Sequence, residues 1–295
     1  MKIGIAGIGK MGAAIAQRLL QHGHQVTLWN RTAGKAQALL RHGATVADTP
    51  AALATASDIL LSILTDAEAI AATYDGPAGL LAGDVSGKLF IEMSTVRPDT
   101  QRALSARICA RGATMIDCPV GGTTGPAREG KLLGFVGGEA ADLARARPVL
   151  EQLCRRIEHV GQVGAGASLK LAINLPLLVY WQAVGEALAL CQPLGLDPAR
   201  LVNIFADTSG GPNVLKTRGS MLAEALQGRT PDNVTFTIDS IRKDMATMIE
   251  EACALGYNEL PVTARALECF DSASRTGLGD GDAVMLPINW LKHKK

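Results

Sequence analysis

The six cysteines of this 295-residue chain, Cys109, Cys118, Cys154, Cys191, Cys253 and Cys269, are far apart and never form CxxC, so they are expected to be reduced and mostly buried. A metal site is equally lacking: His22 and His24 flank Gly23 in a helix-to-strand turn, with no further ligands nearby. Charge is scarce, at 19% of residues with a net of +1, which gives no support to nucleic-acid binding. Lys292, His293, Lys294 and Lys295 read as a solvated tail. No apolar run of about 18 residues is free of polar interruption, so no membrane span is expected. A strand pattern begins at Lys2, directly after Met1, leaving no room for a secretion signal or transit peptide, and a cytoplasmic protein is expected.

What is present is apolar residue, 47% of the chain, enough at this length for a sizeable core divided between two domains. Residues Lys2 to Ala6 form a short apolar run that leads into Gly7-Ile8-Gly9-Lys10-Met11-Gly12 and a helix from Ala13 to Gln21. Gly7 permits a tight turn, Gly9 lets a pyrophosphate approach the backbone, and Gly12 lets the helix pack close to the strand. The helix start then offers N–H groups and a positive dipole end to phosphate. With a second strand at Gln25 to Trp29, the pattern reads as a βαβ dinucleotide fold.

The end of that second strand carries no carboxylate. An Asp or Glu there would bond the 2′-hydroxyl of NAD, whereas Trp29-Asn30-Arg31-Thr32, with Lys35 beyond, offers a guanidinium and neutral donors to a 2′-phosphate. NADP(H) is therefore favoured over NAD(H). Asn30 and Thr32 also suit the cap of a helix beginning near Ala33.

Strand and helix patterns alternate as far as Val160, as in a doubly wound parallel sheet whose ligand lies beyond the carboxyl ends of its strands. Ile59 to Leu64 and Lys88 to Ile91 read as strands, which puts Thr65-Asp66, directly after Leu64, and Ser94-Thr95 at those ends; either pair also suits a helix cap, and Ser94 and Thr95 are read as lying near the nicotinamide. The strand at Met115 to Asp117 runs into Gly121-Gly122-Thr123-Thr124, a loop whose backbone N–H groups can form an anion-binding concavity. Lys131 to Val136, Ile157 to Val160 and the helix Ala140 to Leu153 complete this domain.

From Gly164 to Cys191 apolar residues fall on every side of a helical wheel, so the helix is expected to be buried all round and kinked at Pro176. Lys170 and Asn174 put an ammonium and a carboxamide one turn apart on a single face of it. Beyond it only helical periodicity remains, and the charges in Phe236 to Asp244 read by themselves as a solvated turn of helix. The division expected is residues 1–163 for the NADP-binding Rossmann domain and 164–295 for an all-α domain.

The order and spacing of these pieces resemble the β-hydroxyacid dehydrogenase family, over nearly the whole chain. The resemblance rests on Gly7 to Gly12, Asn30-Arg31-Thr32, Ser94-Thr95, Asp117 to Thr123, Gly164-Ala165-Gly166 with Lys170 and Asn174, and Phe236 with Lys243-Asp244. It implies Lys170 as catalytic acid or base, Asn174 as the residue that orients substrate, and Lys243 at the border of cofactor and substrate. It also implies a homodimer or a dimer of dimers through the helical domain. One departure is informative. The family's DxPVSGG loop is here Asp117-Cys118-Pro119-Val120-Gly121-Gly122-Thr123, which puts glycine where a serine hydroxyl holds the substrate carboxylate. Gly122, Thr123 and Lys243 are then left to receive an acidic group. The expected activity is hydride transfer between NADPH and a small 3-hydroxy acid, semialdehyde or keto acid. The alternatives are an imine reductase-like enzyme, against which Lys170 speaks, and a non-catalytic NADP-binding protein.

Overall fold

The computed structural model of the protein describes residues 1–292; Lys292 ends the last helix, and the rest of the expected tail, His293 to Lys295, lies outside the described residues. Two compact units divide after Leu171. The division falls inside a helix, past the 163/164 junction expected from the sequence.

Among the described residues of the first unit the strands are β1 (Lys2–Ala6), β2 (Gln25–Trp29), β3 (Thr45–Val46), β4 (Ile59–Ser62), β5 (Leu89–Glu92), β6 (Thr114–Asp117), β7 (Val120–Gly121), β8 (Leu132–Gly137) and β9 (Cys154–Gly161). The helices are α1 (Lys10–Gln21), α2 (Gln37–Leu40), α3 (Pro50–Thr55), α4 (Ala67–Asp75), α5 (Pro98–Cys109), α6 (Thr124–Glu129) and α7 (Ala140–Leu153). One sheet runs in the order β3-β2-β1-β4-β5-β6-β8-β7, with β9 on β8. The first six of these strands are parallel. Strand β8 then runs antiparallel to β6 and β7, so one end of the sheet is mixed and not wholly parallel. The two-residue strands β3 and β7 are too short to leave a periodic signal in the sequence.

Both faces of the sheet are covered. Ile59, Leu61, Leu89 and Ile91 join one buried cluster and Leu60 and Phe90 the other, as the two-residue period of a strand requires. Burying both faces explains why β4 and β5 read as continuous apolar runs. Chain direction reverses across β1, since β2 lies on one side of it and β4 on the other. In such a sheet a ligand crevice opens at that reversal, beyond the strands' carboxyl ends.

Helix α8 (Ala165–Cys191) passes through Pro176 without interruption. By length and mean hydropathy (1.3) it would suit a membrane span, a property hidden from a search for uninterrupted apolar runs by Lys170, Asn174 and Glu186. It is not buried all round. Leu171, Leu178, Trp181, Val184 and Leu188 are buried, whereas Ile173 and Leu190 are exposed, because α8 is apolar on more sides than this chain covers. The cysteines also depart from expectation: Cys118 and Cys154 are buried, Cys109 and Cys253 exposed.

In the second unit α8 is followed by α9 (Pro198–Ala206), α10 (Asn213–Leu226), α11 (Ile238–Ala254), α12 (Pro261–Ala273) and α13 (Met285–Lys292). A Cβ at Gly185 of α8 would lie 3.0 Å from Pro287 Cα of α13, so glycine lets these two helices approach closely. Arg218 of α10 donates to both carboxylate oxygens of the fully buried Asp282, at 2.7 and 2.8 Å, and also to Thr235. Two oxygens facing one guanidinium satisfy a charge that burial would otherwise penalise by several kcal/mol, on the order of magnitude usual for such ions. The chain before Asp282 then receives the start of α11, through Ile238 N–H to Gly281 O and Asp239 N–H to Gly279 O.

Candidate active site

Gly7, at φ +98°, has no room for a side chain: a Cβ would stand 2.3 Å from Ile63 O. Gly12 is tighter, its Cβ meeting Gly7 O at 2.0 Å, so α1 begins directly on the turn. Gly9 is the opposite case. Nothing lies within 4 Å of a Cβ there, and Gly9 caps α1 without a side-chain bond and without an acidic residue in the first turn. The open space at Gly9 and the start of α1 at Met11 and Gly12, which the N-cap residue does not cap with a side chain, fit a dinucleotide pyrophosphate.

Asn30 has a structural task. Its Oδ1 accepts from Ile8 N–H at 2.9 Å and its Nδ2 donates to Thr32 O at 2.9 Å, which fastens the end of β2 to the glycine turn. Thr32 precedes the short 3-10 turn Ala33–Ala36 without a side-chain capping bond, so the expected cap is not formed. Arg31, Thr32 and Lys35 are exposed beside the turn, and Arg31 makes no ion pair among the described residues.

At the ends of β4 and β5, Leu64 N–H donates to Ser94 Oγ at 2.8 Å, while Thr65 is exposed and Thr95 half-buried. Ser94 itself is buried, so its hydroxyl builds the rim of the sheet edge and is not presented outward. Below it lies Glu92, fully buried, which receives Ser94 N–H and the hydroxyls of Ser62 and Tyr74. Asp66, next to Thr65, caps α4 by accepting from Ala69 N–H.

Asp117 closes β6. Its Oδ1 accepts from Gly164 N–H at 2.7 Å and its Oδ2 from Ala167 N–H at 2.8 Å, placing a carboxylate at the positive end of α8. Two glycines make the room. A Cβ at Gly137 would meet Asp117 Oδ1 at 2.3 Å, and one at Gly166 would meet Phe135 O at 2.2 Å. Lys170 follows on the same helix, half-buried, within the first unit. Burial pushes the Asp117 carboxyl up to about 6, against the pull of the two backbone donors.

The loop after β6 divides sharply. Gly121 lies in β7, and a Cβ there would be 3.5 Å from Leu133 Cβ and Phe135 Cζ, ordinary contact that accepts a side chain. Gly122 has φ +116° and a Cβ there would lie 2.9 Å from Leu132 Cδ2, so this position needs glycine. Thr123 precedes α6 and makes no side-chain capping bond.

On the second unit's elements, Asn174 is buried. Lys243 is paired with its neighbour Asp244 at 2.5 Å. The charges from Phe236 to Asp244 are a solvated turn only in part: Asp239 is exposed and Asp244 buried, Thr237 caps α11 through Ser240 N–H, and Arg242 donates to Asp239, Asp271 and Ser274. Sequence reasoning missed Glu92, Ser62 and Tyr74 and the capping task of Asp117; the available signal was a polar residue closing each of the apolar strands β4, β5 and β6.

A family model described as the NAD binding domain of 6-phosphogluconate dehydrogenase matches residues 2–161, and one described as NAD-binding of NADP-dependent 3-hydroxyisobutyrate dehydrogenase matches residues 164–287. The chain belongs to the β-hydroxyacid dehydrogenase family. As a member of this family it is an NAD(P)-dependent enzyme acting on CH–OH groups. Glyoxylate/succinic semialdehyde reductase 1 of Arabidopsis thaliana is 32% identical over 291 residues, covering 96% of each chain. The 3-hydroxyisobutyrate dehydrogenase of Pseudomonas aeruginosa is 38% identical over 209 residues, 71% of this chain and 70% of its own. Among solved structures, Psf3 in complex with NADP+ and 2-OPP superposes with a TM-score of 0.86 at 28% identity, covering 97% of this chain and 99% of that one.

Asp117 supplies a pH test. Its carboxyl holds a proton more tightly folded, near 6, than at its ordinary 3.8, so folding takes up a proton in that window. The stability it contributes is complete below pH 3.8 and is lost as pH rises through about 6. Asp117→Asn should flatten the pH slope of urea stability across that window. At neutral pH it should lower stability by about 1–3 kcal/mol, because an amide turns an NH2 group towards a backbone donor. An unchanged slope would show that another group carries the titration.

Proposed function

We propose that the protein is an NADP(H)-dependent oxidoreductase that interconverts a small 3-hydroxy acid with its semialdehyde, or a hydroxy acid with a keto acid. The observation that carries this reading is the anchoring of α8: Asp117 ties its first turn to the sheet, so Lys170 is held on the same compact unit as the glycine turn. NADPH, when bound, supplies the hydride. Lys170, as an ammonium, donates a proton to the carbonyl oxygen as negative charge develops there, and takes it back in oxidation. Asn174, one turn along α8, orients the substrate oxygen. Arg31, with Thr32 and Lys35, receives the 2′-phosphate, which supports NADP(H) over NAD(H). Leu64, Thr65, Ser94 and Thr95 form the edge towards the nicotinamide. The acidic end of the substrate is received by backbone N–H groups at Gly122 and Thr123 and by the Thr123 hydroxyl.

A cytoplasmic homodimer, or a dimer of dimers through the helical unit, completes the proposal. The exposed apolar residues Ile173, Leu190 and Leu194 support the association, and light scattering on the purified protein reads it directly. The free cysteines suit a reducing compartment.

Lys170→Ala should retain NADPH binding while turnover on succinic semialdehyde or glyoxylate falls by about 10² to 10⁴, the scale of lost acid catalysis. Lys170→Arg should rescue little, since guanidinium keeps its proton near neutral pH. Near-normal turnover in Lys170→Ala would remove the lysine from the chemistry.

Arg31→Ala should raise the NADPH Michaelis constant roughly ten- to a hundredfold and leave the NADH constant nearly unchanged, the scale of one lost charge-assisted pair. Equal efficiency with the two cofactors in the unmodified enzyme would defeat the preference.

Gly121→Ser should fold normally, given the space at that position, and should improve kcat/KM for carboxylated semialdehydes relative to neutral aldehydes by about fivefold, one neutral hydrogen bond. An unchanged ranking of substrates would place the acidic group elsewhere.

A further inference from the structure

The parallel ladder between β4 and β5 ends at the register pair Ser62 and Glu92, with Met93 N–H to Ser62 O at 2.8 Å as its last backbone bond. Both chains then leave the sheet to form Leu64-Thr65 and Ser94-Thr95. The bridge between them there is a side chain, Ser94 Oγ, which accepts Leu64 N–H at 2.8 Å. A serine hydroxyl rotates easily, and this residue is fixed from beneath: Ser94 N–H donates to Glu92 Oε1 at 2.8 Å.

The other oxygen, Oε2, receives the Ser62 hydroxyl, and Tyr74 OH stands 2.6 Å from Ser62 Oγ and 3.4 Å from Oε2. Every neighbour named is a donor, the requirement of an acceptor-only carboxylate and not of an amide. Burial raises the Glu92 pKa while these donors oppose the rise, and the same carboxylate helps hold the Tyr74 phenol far above its ordinary value. A fully buried carboxylate surrounded by donors is an expensive way to fill a strand end; an apolar residue would pack there without the desolvation penalty.

We propose that Glu92 is a positioning residue for the dinucleotide: its buried carboxylate sets Ser94, and through Ser94 the backbone at Leu64, so that the sheet edge meets the cofactor preformed. This rests on the NADP(H) reading above. Glu92 touches neither cofactor nor substrate. Its effect is transmitted by one serine, which makes the two residues a single unit energetically.

The test uses the full-length enzyme with Glu92→Gln, Ser94→Ala and the double variant. Three quantities are measured: NADPH dissociation constants by fluorescence, Michaelis constants for NADPH and succinic semialdehyde, and melting temperatures. Glu92→Gln and Ser94→Ala should each weaken NADPH binding by about tenfold, the scale of one charge-assisted hydrogen bond. The double variant should be no weaker than the worse single one, and the aldehyde Michaelis constant should change less than twofold. Unchanged NADPH affinity with a lowered melting temperature would reduce Glu92 to a purely structural part and overturn the proposal, as would effects that multiply in the double variant. Should Glu92→Gln not fold, Ser94→Ala alone decides, because normal NADPH affinity without the Ser94 hydroxyl overturns it equally. Failure of the unmodified protein to bind NADPH is a separate result, and it removes the nucleotide reading itself.

Discussion

Much of the site depends on one carboxylate at the end of β6. Asp117 accepts backbone N–H groups from both sides of the first turn of α8, so that helix starts at a fixed place on the sheet and Lys170 follows at a fixed rise from it. Burying the carboxylate is unfavourable, and two compensations make it tolerable: paired charge-assisted bonds and the dipole of a long helix. The glycines of the Gly164-Ala165-Gly166 stretch follow from the same constraint. At Gly166 a methyl group would collide with Phe135 O, and the carboxylate needs the helix close.

The same arrangement recurs on neighbouring strands. Ser62, Glu92 and Asp117 are register partners at the ends of β4, β5 and β6, where apolar strand gives way to loop. Backbone groups lose their ladder partners at such ends, and buried polar side chains replace them. Glu92 gathers donors from the loop that follows its own strand, from β4 and from α4, whereas Asp117 gathers them from the chain 47 and 50 residues on. Each ties together segments that local structure leaves independent, and the sheet edge offered to the cofactor is correspondingly defined.

This explains which parts of the protein could be read in advance. The turn from Gly7 to Gly12 was legible because its requirements are local: a positive φ at Gly7, contact between Gly12 and Gly7 O, and a change of apolar period within a dozen residues. Lys170 and Asn174 were legible as polar residues in an apolar helix. Glu92 was not, because a glutamate closing a strand looks the same whether it is solvated or buried beneath hydroxyls. The Arg218–Asp282 pair was equally hidden, since its partners are 64 residues apart and each lies among ordinary surface residue types. The bonds that Asn30 makes to Ile8 and Thr32 were hidden too, because residue type alone does not distinguish an amide that fastens a turn from one that faces outward. The all-round apolar wheel of α8 suggested complete burial, whereas the folded chain leaves Ile173 and Leu190 uncovered.

The adjacent glycines of the loop after β6 differ in what they allow a lineage to change. Gly122 is frozen by its backbone, since φ +116° and the nearby Leu132 exclude almost any replacement. Gly121 is not held in this way, because its place in β7 and ordinary contacts around a Cβ leave room for a side chain. A single codon change at that position can therefore alter the chemistry of the loop without disturbing its shape.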